Sequence, residues 1–158
     1  MKVILFGGTG MVGQGVLREC IADSGVEQIL LVVRKATGAT SSKVIELLHE
    51  DFFDWTVVED RFAGFDTCLF CLGVSAVGMK EADYRRTTYD LTMAVAQMLL
   101  RVGSLKTFEY ISGMGTDANG RQMWARVKGA LEKFVAAGVV SGGEADENAA
   151  AVEMAFAD

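Results

Sequence analysis

The sequence predicts a doubly wound parallel α/β sheet with helices on both faces. Apolar runs of strand length alternate with longer segments of helical periodicity, which is typical of this fold class. Residues 28–33 are almost purely apolar, as expected of a parallel strand that is covered on both faces. A glycine-rich turn directly joins the first strand to the first helix. Together these observations favour strands connected by helical crossovers within one domain.

The elements follow one another in a regular order. Residues 43–49 fit a strand or a helix, and a strand is favoured because Asp51 then follows its end. The helix over 81–102 is apolar almost all round, which predicts sheet contact on one side and a partner subunit, hence a homodimer, on the other. The predicted strands are residues 2–6, 28–33, 43–49, 67–72 and 107–111, and the predicted helices are residues 9–22, 54–62, 81–102 and 122–137.

Composition narrows the classes of function. A chain of 158 residues is long enough for a real hydrophobic core. The net charge of -6 argues against a nucleic-acid partner or an anionic membrane surface, and the longest uncharged run, residues 67–79, is too short to span a bilayer. No secretory signal is visible, and three cysteines, an odd number, favour reduced thiols. We therefore expect a cytoplasmic protein with neither a nucleic-acid nor a membrane partner.

Metal chemistry is not expected. Cys68 and Cys71 form a C-x-x-C pair, but positions three apart in a strand point to opposite faces of the sheet. Buried small hydrophobic side chains are the better interpretation of this pair. His49 is the only histidine, which excludes a site with several histidine ligands, and it is interpreted as structural or solvent-facing.

The turn after the first strand carries three glycines, each three residues from the next. Gly7 allows a tight turn, Gly10 lets the backbone approach a phosphate, and Gly13 lets the helix pack against the strand. The helix N-terminus adds unpaired N–H groups and a positive dipole end. This pattern predicts a cradle for the pyrophosphate of a nicotinamide dinucleotide, with an ordinary glycine-rich strand–helix turn as the alternative. The predicted binding loop consists of Gly7, Thr9, Gly10, Met11, Val12 and Gly13.

A basic pair follows the second strand. About twenty residues past the last glycine, an acidic residue would hold the ribose 2′-hydroxyl of NAD, whereas a basic residue would accept the 2′-phosphate of NADP. Here Arg34 and Lys35 occupy that position, and an arginine binds a phosphate through two charged hydrogen bonds. The pair favours NADP(H) over NAD(H), with a solvated pair at a strand end as the alternative.

Taken in order, these motifs resemble the short-chain dehydrogenase/reductase family, and more narrowly its atypical NmrA-like and epimerase-like branch. The resemblance covers roughly residues 1–135 and implies an NAD(P)-binding Rossmann domain over residues 1–138. The motifs that carry it are the glycine turn at 7–13, the basic pair at 34–35, and the segments at 49–52, 71–73, 110–113 and 127–129.

The resemblance also implies roles for individual residues. Asp51 would bond the adenine amine, with Phe52 beside it, and Leu72 and Gly73 would run alongside the cofactor. Ser112 would orient the carbonyl of a small-molecule substrate, with Thr116 as a weaker candidate, and Lys128 would hold the nicotinamide ribose.

The expected catalytic acid is replaced. In the family, a tyrosine four residues before the lysine supplies the proton, but here Trp124 occupies that position before Lys128. An indole N–H donates a hydrogen bond and cannot deliver a proton near pH 7. Ser112 and Lys128 remain the predicted catalytic residues. Three functions stay open. The chain is an NADP(H)-dependent oxidoreductase, a non-catalytic NADP(H) sensor or interaction module, or a nucleotide-fold interaction protein without a cofactor.

The last segment departs from the family. Residues 139–158 contain no Arg-Pro-Gly turn, and the chain has no proline. Alanine, glutamate and methionine predict a helix over about residues 146–157. We expect the usual C-terminal substrate lobe to be lacking, through truncation, an altered reading frame, or because the chain is a cofactor-binding core.

Overall fold

A six-stranded parallel sheet forms the centre of the molecule. The structure is a computed structural model that describes residues 1–136 and 151–157. The strand order is β3-β2-β1-β4-β5-β6, so the order reverses between β1 and β4 and leaves a crevice at the carboxyl edge there. The predicted doubly wound α/β fold is confirmed. The strands are β1 (Lys2–Phe6), β2 (Gln28–Val33), β3 (Val44–Leu48), β4 (Thr67–Phe70), β5 (Thr107–Gly113) and β6 (Ala151–Ala157).

Among residues 1–136, the helices match the prediction except around residue 54. The predicted helix over 54–62 is wrong, because only a 3-10 helix forms, over Glu59–Phe62. The Asp54 carboxylate accepts hydrogen bonds from the N–H (3.0 Å) and hydroxyl (2.6 Å) of Thr56, and this local turn competes with a helix. The α-helices are α1 (Met11–Ala22), α2 (Glu81–Arg85), α3 (Leu91–Val102) and α4 (Met123–Ala136), with a π-helical turn over Arg86–Asp90 between α2 and α3.

Two hydrophobic cores lie on the two faces of the sheet, because successive side chains of a strand point in opposite directions. The larger core is aromatic, with Phe6 at its centre, and α3 packs on it through Val95 and Leu99. The smaller core packs the opposite face against α1. Cys68 belongs to the first core and Cys71 packs on the second, so the prediction that they point to opposite faces is confirmed.

The segment at the end of the chain is a strand where a helix was predicted. The predicted helix over 146–157 is wrong for residues 151–157, which form β6, and residues 146–150 lie outside the described residues. β6 pairs in parallel with β5 from Thr107↔Ala151 to Gly113↔Ala157. Helix propensities amount to about 0.7 kcal/mol per residue or less, whereas the open edge of β5 offers a full ladder of backbone hydrogen bonds.

Candidate functional site

Two glycines of the predicted binding loop are required by close backbone contacts. Gly7 has a φ of +77°, and a Cβ there would lie 2.7 Å from the Cys71 carbonyl carbon. A Cβ on Gly13 would lie 2.1 Å from the Gly7 carbonyl oxygen, so only glycine lets α1 sit this close to the turn. The glycine turn is therefore held against both α1 and the end of β4.

Gly10, the middle glycine of the motif, has more room around it than the other two. A Cβ on Gly10 would meet only the Gly7 carbonyl oxygen, at 3.3 Å. Gly10 caps α1 without a side-chain hydrogen bond, and the first turn carries no acidic residue. Met11 is 91% exposed. The first N–H groups of α1 have no acceptor within the helix, so this N-terminus fits a pyrophosphate group.

A cleft with a volume of about 510 Å³ continues from this turn. Its lining joins Thr9 of the glycine turn to Arg34 and Lys35 after β2 and to Glu50 after β3. Both basic side chains are exposed, and among the described residues no carboxylate lies within ion-pair distance of them. The geometry places the predicted 2′-phosphate residues beside the predicted pyrophosphate cradle. Glu50 is part of the 49–52 motif, but no role was predicted for it.

Asp51 and Phe52 are neighbours in the sequence but have different surroundings in the structure. Asp51 is exposed, and its Oδ1 accepts the Phe53 N–H at 2.9 Å. Phe52 is only 8% exposed and packs in the aromatic core, with its ring centre 5.2 Å from that of Trp55. His49 lies against the same cluster, its ring centre 4.6 Å from that of Trp55. Asp51 is therefore exposed enough to contact an adenine base, whereas Phe52 supports the loop by packing in the aromatic core.

The end of β4 abuts the glycine turn. The Leu72 backbone nitrogen would lie 2.8 Å from a Cβ on Gly7, and Leu72 itself packs on the aromatic core. Gly73 is exposed with open space around it. Between β4 and Leu72, burial raises the pKa of the Cys71 thiol to about 11. The predicted residues Leu72 and Gly73 therefore lie at the crevice beside the glycine turn.

Ser112 lies at the end of β5 and its hydroxyl is engaged. The side chain is 3% exposed and donates a hydrogen bond to the Glu132 carboxylate. The Thr116 hydroxyl donates to the same carboxylate oxygen. Sequence analysis missed Glu132, although its spacing of four residues from Lys128 places both on one face of α4.

Lys128 lies near this cluster. Its Nζ is 6.0 Å from the centre of the Tyr110 ring and would be 3.7 Å from a Cβ on Gly113. Burial lowers the pKa of Lys128, and the Glu132 charge partly offsets this effect. Burial also raises the pKa of Tyr110 well above its usual value. The structure thus brings Ser112 and Lys128 to one place, together with Glu132 and Tyr110.

Trp124 does not join this cluster through its N–H group. The indole Nε1 donates to the Gln122 side chain, and the ring edge would lie 3.8 Å from a Cβ on Gly115. The indole therefore packs against the loop that follows β5. Within the described part of the chain, no group of three or more His, Cys, Asp or Glu residues could hold a metal ion, and no helix has the length and apolar character needed to cross a membrane.

Solved structures share this fold. A dTDP-glucose 4,6-dehydratase from Streptomyces venezuelae, solved with NAD bound, superposes with a TM-score of 0.76 at 14% identity, over 99% of this chain and 55% of the dehydratase. A UDP-glucose 4-epimerase from Thermotoga maritima superposes with a TM-score of 0.67 at 14% identity, over 86% of this chain and 50% of the epimerase. The chain therefore shares the fold of these two enzymes, a doubly wound parallel sheet flanked by helices.

Curated proteins of similar sequence are fungal. Protein FMP52-2, mitochondrial, from Scheffersomyces stipitis is 31% identical over 136 residues, which cover 84% of this chain and 58% of that protein. Protein fmp52, mitochondrial, from Emericella nidulans is 29% identical over 143 residues, which cover 86% of this chain and 60% of that protein. The chain thus spans about three fifths of the length of these relatives. No protein-family model matches the chain.

These relatives correct the predicted location. The absence of a visible signal and the cysteine count led to a cytoplasmic prediction, and that prediction is wrong, since the curated relatives are named mitochondrial proteins. Cysteine usage separates oxidising from reducing surroundings and does not distinguish one reducing compartment from another.

Proposed function

We propose that the chain is the dinucleotide-binding part of an NmrA-like or epimerase-like short-chain dehydrogenase/reductase, and that it binds NADP(H) in preference to NAD(H). The observation that carries this proposal is the open N-terminus of α1, fixed by Gly7 and Gly13 and continuous with the Arg34–Lys35 cleft. From the names of the relatives, we also propose a mitochondrial location. A homodimer formed through the helices beside the sheet remains a prediction.

Each part of the dinucleotide has residues that fit it. The N–H groups at the start of α1 would hold the pyrophosphate, and Arg34 and Lys35 would hold the 2′-phosphate. Asp51 would bond the adenine amine, and Lys128 would hold the nicotinamide ribose. When bound, the nicotinamide supplies or accepts a hydride.

Binding without catalysis is the second candidate function, and one contact favours it. The Ser112 hydroxyl donates to Glu132 and is thus engaged within the protein. A carboxylate at this position would also disfavour the negative charge that develops on a carbonyl oxygen during reduction. Incubation with NADPH and a panel of carbonyl substrates separates the two functions: turnover supports an oxidoreductase, and cofactor binding without turnover supports a sensor.

Cofactor titrations test the proposal itself. Binding of NADPH and NADH is followed by the fluorescence of Trp55 and Trp124, first in the unchanged protein. We expect tighter binding of NADPH. Replacing Arg34 and Lys35 together by alanine should weaken NADPH binding about ten- to hundredfold, because charged hydrogen bonds are lost, with little effect on NADH.

The matched control is Arg18→Ala, which removes one positive charge from an exposed position of α1 outside the cleft lining. It should leave the NADPH affinity within about twofold, since Arg18 lies about two helical turns from the start of α1 and an exposed charge at such a distance is largely screened. NADH binding as tight as NADPH binding in the unchanged protein would contradict the predicted preference. Failure to bind either nucleotide would contradict the proposal as a whole.

A further inference from the structure

The basic pair lies on a loop with little structure of its own. After Arg34 and Lys35, the chain runs through small and polar residues at 36–42, and positions 34–40 are all exposed. Ordering such a loop costs backbone conformational entropy at every residue. A receptor for a phosphate on this loop therefore needs something that holds the loop in one shape.

One carboxylate holds this loop. Glu46 lies on β3 opposite Leu31 of β2, and its Oε1 accepts the Thr37 N–H at 2.9 Å and also the Thr37 hydroxyl. These hydrogen bonds, that of the Thr37 hydroxyl above all, lower the pKa of Glu46. Glu46 therefore stays ionised at neutral pH and holds the loop at Thr37 through both the N–H and the hydroxyl of that residue.

The backbone is shaped for this contact. Gly38 has a φ of +74°, in the left-handed region, which turns the chain directly after Thr37. A Cβ on Gly38 would meet no atom within 4 Å, so the glycine is needed for its backbone angle alone. The bonded segment begins two residues after Lys35, so the position of the basic pair depends on it.

A second carboxylate, that of Glu50, lies at the cleft and not against the loop backbone. Glu50 lines the cleft together with Arg34 and Lys35, whereas Glu46 does not. Glu46 directs its charge into the loop backbone, and Glu50 presents its charge to whatever enters the cleft. The two glutamates, on and just after β3, therefore affect a bound phosphate in opposite directions.

We infer that Glu46 is a positioning residue for cofactor choice: its carboxylate holds the 34–40 loop in the shape in which Arg34 and Lys35 receive a 2′-phosphate, while Glu50 opposes that phosphate. The inference rests on the proposed NADP(H) binding. It assigns part of the preference to a residue outside the lining of the cleft.

Substitutions at Glu46 separate the loss of an acceptor from the loss of a charge. Glu46→Ala removes both, whereas Glu46→Gln removes the charge and keeps an oxygen that accepts from the loop. We expect Glu46→Ala to weaken NADPH binding about tenfold, Glu46→Gln to weaken it less, and both to leave NADH binding within about twofold. Gly38→Ala, which strains the loop without a steric clash, should act like Glu46→Ala.

Glu50→Gln is the matched control for charge. It removes one negative charge from the cleft itself and should strengthen NADPH binding a few-fold, with a smaller gain at high salt. All dissociation constants are measured by tryptophan fluorescence at one ionic strength, and the ratio of the NADPH to the NADH constant is the readout. A purely structural role for Glu46 would change both constants equally and leave that ratio unchanged.

The outcomes separate the inference from the function on which it rests. If Glu46→Ala tightens NADPH binding as Glu50→Gln does, or weakens both nucleotides equally, the inference is wrong while NADP(H) binding stands. If the unchanged protein does not prefer NADPH, or the Arg34 and Lys35 replacements leave its affinity unchanged, the proposed cofactor preference fails first.

Discussion

The glycine-turn region and the β5–α4 region use their polar groups in opposite ways. At the glycine turn, the first N–H groups of α1 have no side-chain cap, and the described residues offer no ion-pair partner to Arg34 and Lys35. Between β5 and α4, the hydroxyls of Ser112 and Thr116 both donate to Glu132. The first region is thus open to an external anion, and the second satisfies its polar groups internally.

The difference follows from what each region is made of. The glycine turn works through backbone N–H groups and steric room, which a change of side chain elsewhere barely affects. The β5–α4 region works through side chains, and Trp124, which stands where the resemblance implies a tyrosine, has an indole N–H that supplies no proton near pH 7. Under the proposed function, cofactor binding therefore depends less on individual side chains than catalysis does.

The largest effect is expected at Gly13. Gly13→Ala places a Cβ 2.1 Å from the Gly7 carbonyl oxygen, so α1 must move away from the turn. We expect a loss of about 3 kcal/mol or more in the free energy of unfolding, together with loss of NADPH binding. Urea unfolding and the fluorescence titration measure the two losses.

Gly15→Ala is the matched control two residues along α1. A Cβ there meets nothing within 4 Å, so this change should stabilise the helix by about 0.5–1 kcal/mol. If the two alanine variants proved equally stable, α1 would not pack against the glycine turn as described.

An intermediate effect is expected at Glu132. Glu132→Ala leaves the buried Ser112 hydroxyl without its acceptor, which should cost about 1–3 kcal/mol in the free energy of unfolding. Ser112→Ala should then cost less in the Glu132→Ala background than in the unchanged protein, because the two residues share one interaction. Additive losses in this double-mutant cycle would show that the contact contributes nothing.

The smallest effect concerns the pH dependence that Lys128 contributes. Burial lowers its pKa from the usual 10.5, so between the lowered value and 10.5 the unfolded chain holds a proton that the folded chain has released. The contribution of Lys128 to the free energy of unfolding therefore rises with pH through that window. Lys128→Met lacks this contribution, so the difference in unfolding free energy between the unchanged protein and this variant should increase as the pH rises towards 10.5. A flat difference would place Lys128 in solvent, and a decreasing difference would mean that the charge of Glu132 outweighs the effect of burial.

Sequence patterns predicted the elements that depend on neighbouring residues. The apolar runs identified β1, β2, β4 and β5, and β3 was chosen over a helix because Asp51 then follows its end. The glycine spacing located the turn whose close contacts Gly7 and Gly13 satisfy. The basic pair also lies in the cleft where it was expected. These features can be predicted from the sequence because strand burial and turn geometry constrain residues that are close together in the chain.

Other features depended on residues far apart in the sequence. Nothing local shows that Glu46 holds the Thr37 loop or that Glu132 accepts from Ser112, because each contact joins two different elements. The wrong helix over 54–62 has a different cause, because the competing turn between Asp54 and Thr56 is local. Phe52 was part of a predicted binding motif, but its side chain packs in the aromatic core.

The sequence by itself determined the parallel α/β architecture and the glycine turn, because apolar periodicity and the steric room of glycine act over a few residues. Only the tertiary structure decided that residues 151–157 form a strand, since the edge of β5 outweighs a weak helical preference. It also decided which glutamates hold the loop and the Ser112 hydroxyl, because those hydrogen bonds exist only once the strands and α4 have come together.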